Sequence, residues 1–391
     1  MKRFSNIVAL PVLLAALMLR PARAQEIEIK KEGLWIPGAT RAVPLTMSGF
    51  SGEVAAVLRF DLEIAGFQLV SPAEAQFELS GNNSAHVQGA LLDRISKTPL
   101  FSKAYGGASL RRQAHALADD VVLAVTGRRG VAQTRIAFKG DTGRSSEIYI
   151  SDYDGFDAQA VTHDNSIVAA PCWVPGQMTL YYTSYKFDNP DIFRHDLRTG
   201  QRRAIARFSG LNTSAAVSPD GSRVAMILSK DGSPDVYVSD ADGGNLKRLT
   251  ATREDDSSPC WSPDGQWICF ATKVQDRRML CKVPAHGGPA QRLATSGVSN
   301  PSEPDWSPDG KWIVFTAQMG GFEICVVPAG GGPATVLVSG EDPCWAPNSR
   351  TVVFARRQGG GRVLSLLDVP TKHVKDVARI SGSSSQPSWA R

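Results

Sequence analysis

The sequence predicts a mainly β fold: a six-bladed β-propeller closed by its own C-terminal strand and preceded by a small α/β domain. Three observations predict it. Ser218-Pro219-Asp220-Gly221, Ser262-Pro263-Asp264-Gly265 and Ser307-Pro308-Asp309-Gly310 are identical turn segments, with degenerate copies at Val174-Pro175-Gly176 and Ala346-Pro347-Asn348. An apolar anchor precedes each turn (Trp173, Val217, Trp261, Trp306, Trp345) and recurs at Trp389; the intervals are 44, 44, 45, 39 and 44 residues, the length of a four-stranded blade. Leftover strands stand at both ends of the array.

Each repeat reads as one blade. The anchor ends the first strand, and Pro-Asp-Gly reverses the chain because proline presets φ, Asp caps the turn and Gly takes the left-handed position. Nine residues after the anchor comes another large apolar residue: Tyr182, Met226, Phe270, Phe315 or Phe354. Third strands alternate, as in Asp235-Val236-Tyr237-Val238, and a Gly-rich turn such as Asp242-Gly243-Gly244 leads to the fourth. Before the first anchor, residues 134–138, 147–151 and 158–162 supply the second, third and fourth strands of a blade that lacks its first. Gln386-Pro387-Ser388-Trp389 supplies it from the other end, so the ring closes without a free edge.

Residues 1–24 read as a signal peptide. Lys2 and Arg3 precede an apolar run over 7–19, and Ala22-Arg23-Ala24 offers a cleavage site. The run is too short to span a bilayer, which needs about 20 apolar residues, and no later stretch reaches that length. Removing the segment drops the net charge from +5 to +1, so the basic balance gives no argument for nucleic acid as a partner. Residues 25–130 form the α/β domain and 131–391 the propeller. In the former, 26–29 alternate as a strand. A helix runs over 51–65 between Ser51 and Gly66, 67–70 form a strand, and a second helix runs from the Ser109 cap to about Val125, before Gly127. Leu110, Ala114, Leu117, Val121 and Val125 share one face of that helix. The sheet order is not readable.

Cys172, Cys260 and Cys344 each precede a tryptophan on a different blade, too far apart to bridge. Cys269 and Cys281 flank a hairpin near Gln275 and are either a disulfide or two reduced core cysteines. No Gly-x-Ser-x-Gly and no His-Glu-x-x-His occurs, and the six histidines are scattered, so neither catalysis, nor a metal, nor a cofactor is expected. The polar loops at one propeller mouth are the candidate partner surface: Asn212, Thr213, Arg253, Glu254, Asp255, Asp256, Ser299, Asn300, Glu303 and Asp342. Solvated connectors are the bland alternative. Glu26, Ile27, Glu28, Ile29 and Lys30 are either an edge strand or a segment that adds to a partner's sheet.

The chain resembles the TolB family, periplasmic propeller proteins of the Tol-Pal cell-envelope system. Thr134-Arg135-Ile136-Ala137-Phe138, Ser151-Asp152-Tyr153-Asp154-Gly155, the Pro-x-Trp-Ser-Pro-Asp-Gly anchors and Gly38-Ala39-Thr40-Arg41-Ala42-Val43-Pro44 carry the resemblance, which covers essentially the whole mature chain. Departures are the cysteines, the degenerate first and fifth turns, and residues 45–48. The resemblance implies a monomeric periplasmic adaptor for envelope integrity and cell division, binding the peptidoglycan-associated lipoprotein Pal on the propeller and TolA through the mature N-terminus. A propeller hydrolase or a carbohydrate-binding propeller is the alternative. The mature protein is expected to start at Gln25; intact mass of the periplasmic fraction checks this, and a protein retaining Met1 would contradict it.

Overall fold

The computed structural model describes residues 36–252 and 254–391. The segments expected at 1–24 and 26–30, and Arg253, lie outside the described residues.

The front domain is a five-stranded sheet covered by two helices. Strands β1 (Val43–Ser48), β2 (Phe67–Leu69), β3 (Phe77–Asn82), β4 (Gln88–Asp93) and β5 (Thr98–Ala104) lie in the order β2-β1-β3-β4-β5. Pairing is parallel on both sides of β1 and antiparallel from β3 to β5. Helix α2 (Leu110–Thr126) begins where Ser109 Oγ accepts the Arg112 N–H and ends at Gly127, whose φ of 70° needs glycine's freedom. Its expected stripe is internal: Ala114, Leu117 and Val121 are fully buried, with Leu110 and Val125 packed beside them. Helix α1 (Gly52–Ile64) differs in one detail. Ser51 precedes it in extended conformation, but its side chain makes no capping bond; its backbone N–H donates to Asn83 Oδ1 instead. The hairpin from β3 to β5 had no clear sequence signal, because β5 is exposed along almost its whole length and so carries no burial alternation. Pro99 and Lys103 guard that edge against pairing.

The propeller has six four-stranded sheets. Blade 1 combines Ser383–Trp389 with Arg135–Asp141, Ser146–Asp152 and Gln159–Ala160, so the last strand of the chain is the innermost strand of the first blade. The inner strands of blades 2 to 6 are Val168–Trp173, Asn212–Val217, Asp255–Trp261, Ser302–Trp306 and Glu341–Trp345. Anchor tryptophans and their second-strand partners form the cores between blades; Tyr182, Met226, Phe270, Phe315 and Phe354 are all buried. In the Pro-Asp-Gly turns Ser218 Oγ donates to Asp220 Oδ1 at 2.5 Å and accepts the Arg223 N–H, and Gly221 sits at φ 72°. Ser262 and Ser307 repeat the arrangement. The Ser218 hydroxyl and the Ser222 N–H hold the Asp220 carboxyl down to about 2.

The hairpin disulfide is ruled out by register. Cys281 stands opposite Phe270 and Cys269 opposite Lys282, so the two thiols point to opposite faces. The residue facing Cys269 is Cys260, and all six cysteines are free.

Closure rests on Trp389, which pairs with Ile136, is almost fully buried and donates its indole N–H to Thr134 Oγ1 at 2.7 Å. Arg391 reaches further: its carbonyl accepts the Gly176 N–H of blade 2, while its guanidinium bonds Trp345 O of blade 6 and pairs with Asp305 of blade 5. The front domain docks on a turn of blade 1 and the outer strand of blade 6, through the Arg111–Asp154 and Lys375–Glu63 ion pairs and the bond from Tyr153 to Asp61. Gly38 and Thr40 donate to Val369 O and Pro370 O on the same side.

Trp389→Ala should lower unfolding stability by about 3–5 kcal/mol, the usual cost of emptying an aromatic core site. An unchanged denaturant midpoint would contradict closure through this strand.

Candidate functional site

The inner strands surround an axial channel of about 550 Å³. Three residues before each anchor, the ladder of every blade shifts register around one extra residue. Those residues are Ala170, Ser214, Ser258, Glu303, Asp342 and Gln386, all non-glycine and all with φ between 50° and 56°. The bulge turns each of them onto the channel wall, one per blade, near the mouth away from the Pro-Asp-Gly turns. The next position is Pro171, Pro259, Pro304, Pro343 or Pro387, with Ala215 in blade 3. Proline suits a channel-facing bulge because it has no N–H to leave unpaired.

Part of the bulge ring is tied together from blade to blade. Glu303 Oε2 accepts the Asp342 N–H at 3.0 Å and the Thr316 hydroxyl at 2.7 Å. Asp342 Oδ2 accepts the Gln386 N–H at 3.0 Å, and Gln386 Oε1 accepts the Ala170 N–H at 2.9 Å. The series stops there, since alanine has nothing to offer the following blade. One layer deeper, Asp305 Oδ2 accepts the Trp345 N–H, Cys344 Sγ the Trp389 N–H and Ser388 Oγ the Trp173 N–H. Cys344, directly before its tryptophan, thus occupies an acceptor position in the channel wall. Burial pushes the Cys172 thiol up to about 11, so it stays neutral. Burial and the neighbouring Glu303 carboxylate push Asp342 up to about 7.

The structure divides the sequence-predicted residues into three groups. Glu303 and Asp342 come together in the channel mouth. Asp255 and Ser299 are exposed, and Thr213, Glu254 and Asn300 are partly covered. Asn212 and Asp256 are buried. Asn212 is a clamp: its side chain accepts the Phe208 N–H and donates to Phe208 O and Pro190 O, tying the loop at Phe208 to the start of the strand Asn189–Asp196. Asp256 accepts the Thr250 hydroxyl at 2.6 Å, and burial raises it to about 6.

Sequence reasoning missed what this clamp presents. Phe208, in the loop before Asn212, and Phe187, at the tip of the blade 2 hairpin, are 37 % and 49 % exposed. The Arg207 guanidinium lies 4.4 Å from the Phe187 ring, and the Lys230 ammonium 5.7 Å from that of Phe208. Their loops lie outside the repeat pattern, so only burial could reveal them. Among the described residues no group of His, Cys, Asp and Glu has a metal-holding arrangement, and the channel lining contains no histidine.

The sequence matches the family model described as the TolB beta propeller domain over residues 122–391. It is 31% identical over 317 residues to the Tol-Pal system protein TolB of Bordetella parapertussis, covering 72% of this chain and 71% of that protein. The counterpart from Bordetella pertussis matches equally. Among solved structures, TolB from Acinetobacter baumannii superposes with a TM-score of 0.82 at 23% identity, covering 91% of this chain and 98% of that one. No described helix is long and apolar enough to cross a membrane.

Asp342 sets a pH dependence. Its folded value of about 7 lies above the ordinary carboxylate value of about 3.9, so between those limits the folded state holds a proton that the unfolded state releases. Stability through this group is therefore complete below pH 4 and lost as pH rises toward 7. Asp342→Asn, which keeps an acceptor for Gln386, should be more stable than the parent by about 1–3 kcal/mol at pH 8, allowing for channel water, and equal to it near pH 4. Melting curves across that range check it; equal stability at pH 8 would contradict the raised value.

Proposed function

The chain belongs to the TolB propeller family, and from that membership we propose that it is a periplasmic protein-binding adaptor of a Tol-Pal cell-envelope system. In this reading the propeller binds the peptidoglycan-associated lipoprotein Pal and residues 25–30 bind TolA, linking the two membranes. The observation that carries it is the Asn212 clamp: two phenylalanines are held in water, beside cations, on the propeller face opposite the front domain. Exposed aromatics on a rigid support are typical anchors of protein interfaces. Glu303 and Asp342 add a polar rim at the channel mouth, and Asp255, at the start of its inner strand, and Ser299 are exposed. A hydrolase reading lacks support from the channel, where Glu303, Asp305 and Asp342 each accept a backbone N–H and burial holds the Cys344 thiol beside Asp305 far above its ordinary value.

Calorimetry with the cognate partners tests both halves. The Phe187→Ala/Phe208→Ala double variant should bind lipid-free Pal at least about tenfold more weakly, a loss of roughly 1.4 kcal/mol, at an unchanged melting temperature. Deleting residues 25–30 should abolish the heat of TolA binding and leave Pal binding intact. Undiminished Pal affinity in the double variant would move the site off this face.

A further inference from the structure

A second cleft, of about 420 Å³, opens between blades 1 and 6 and shares no lining residue with the axial channel. Gly140 makes room for the aromatic ring that lines it. Register places Gly140 opposite Ser384 on one side, and Phe138, two residues earlier on the same face, opposite Tyr149 on the other. A Cβ at Gly140 would lie 2.7 Å from the Tyr149 ring, so Tyr149 leans over the space a side chain would fill. The ring stacks on Phe138, with centroids 5.6 Å apart and planes 14° from parallel. Ser384, also in the lining, is 2 % exposed, and its hydroxyl has no partner. It is the single serine among the described residues in that condition, and its backbone neighbour Ser385 shows none of it. Such a group is normally bonded, so its isolation inside a cleft marks a place for a ligand's polar atom.

The rim completes the chemistry. Phe156, 40 % exposed, lies 5.5 Å from the Arg379 guanidinium. Asp157 stands in the same wall, and Asp141 is paired with Lys139 at 3.1 Å. Arg379 in turn faces Glu53 at 3.9 Å and Asp157 accepts from Gln159, so each charged group of the wall already has a partner and neither an anion nor a cation is selected. Both donors and acceptors line the cleft beside its aromatic rings: Arg379, Ser381 and Ser384 with Asp141 and Asp157. A pyranose ring has matching features: one apolar C–H face and a rim of hydroxyls that both donate and accept. A peptide would need a free strand edge or a long groove, and the strands that carry Gly140 and Tyr149 are paired on both sides. The volume suits one or two sugar rings.

We propose that this cleft binds a neutral saccharide unit, its apolar face on Tyr149 and a hydroxyl bonded to Ser384 Oγ. The site is separate from the protein-binding face and independent of the adaptor reading.

Saturation-transfer NMR on the full mature protein tests it, with chitotriose and maltotriose as probes. At least one trisaccharide should receive saturation at millimolar concentration, with the signal reduced about tenfold in Tyr149→Ala. Ser384→Ala, which removes only an unbonded hydroxyl and keeps the fold, should weaken binding severalfold at an unchanged melting temperature. No transfer to either probe, or equal transfer in both variants, overturns the proposal. Pal titrations of the same variants separate the two readings, since these substitutions leave the Phe187–Phe208 face intact.

Discussion

The whole architecture depends on pairing the two ends of a long chain segment. Strand Ser383–Trp389 lies beside Arg135–Asp141, and without it blade 1 would have three strands and two exposed edges. Loop closure over some 250 residues is entropically unfavourable, but only logarithmically so, and one well-buried tryptophan with its Thr134 bond offsets much of it. Front-domain docking converges on the same spot. The Tyr153 ring lies 6.2 Å from Trp389, 5.9 Å from Phe60 of α1 and 6.0 Å from His115 of α2. A single side chain therefore touches the closing strand and both helices.

Around Tyr153 the contact between the domains is polar and buried. Burial raises Asp61 and Tyr153 above their ordinary values. It also opposes charging His115, but the bond and the charge of Asp61 outweigh it and raise the His115 pKa. A buried charge cluster of this kind adds little net stability, yet half of it would be costly alone. Its effect is specificity: Arg111 must meet Asp154 and Asp61 must meet Tyr153, so the front domain has one seat on the ring.

The channel wall shows how repetition creates a site. Six left-handed bulge residues each carry a small conformational cost, and the ring geometry over-determines them. Identical backbone positions then hold different side chains. Glutamate, aspartate and glutamine occupy consecutive blades, each long enough to cap the next blade's N–H, while alanine and two serines occupy the other half. The mouth is thus polar and tied on one side, and open on the other.

Turns, anchors and strand alternation were legible because they are local: Pro-Asp-Gly, a tryptophan and a period of two state the same structure within any one repeat. Summing the leftovers at both ends even revealed six blades and the closing strand. The Ser109 cap and the Gly127 stop of α2 were equally local. What lay beyond reach depends on register or burial. Asn212 and Asp256 read as loop polar residues, and only packing showed them to be internal clamps. Cys269 and Cys281 read equally as a hairpin disulfide or as two reduced core cysteines until a one-residue offset turned them to opposite faces. The bulge ring, three residues before every anchor, was countable in the sequence, but φ was not. Periodicity records what each residue does to its neighbours in the chain; which polar atoms face water is decided when distant segments meet.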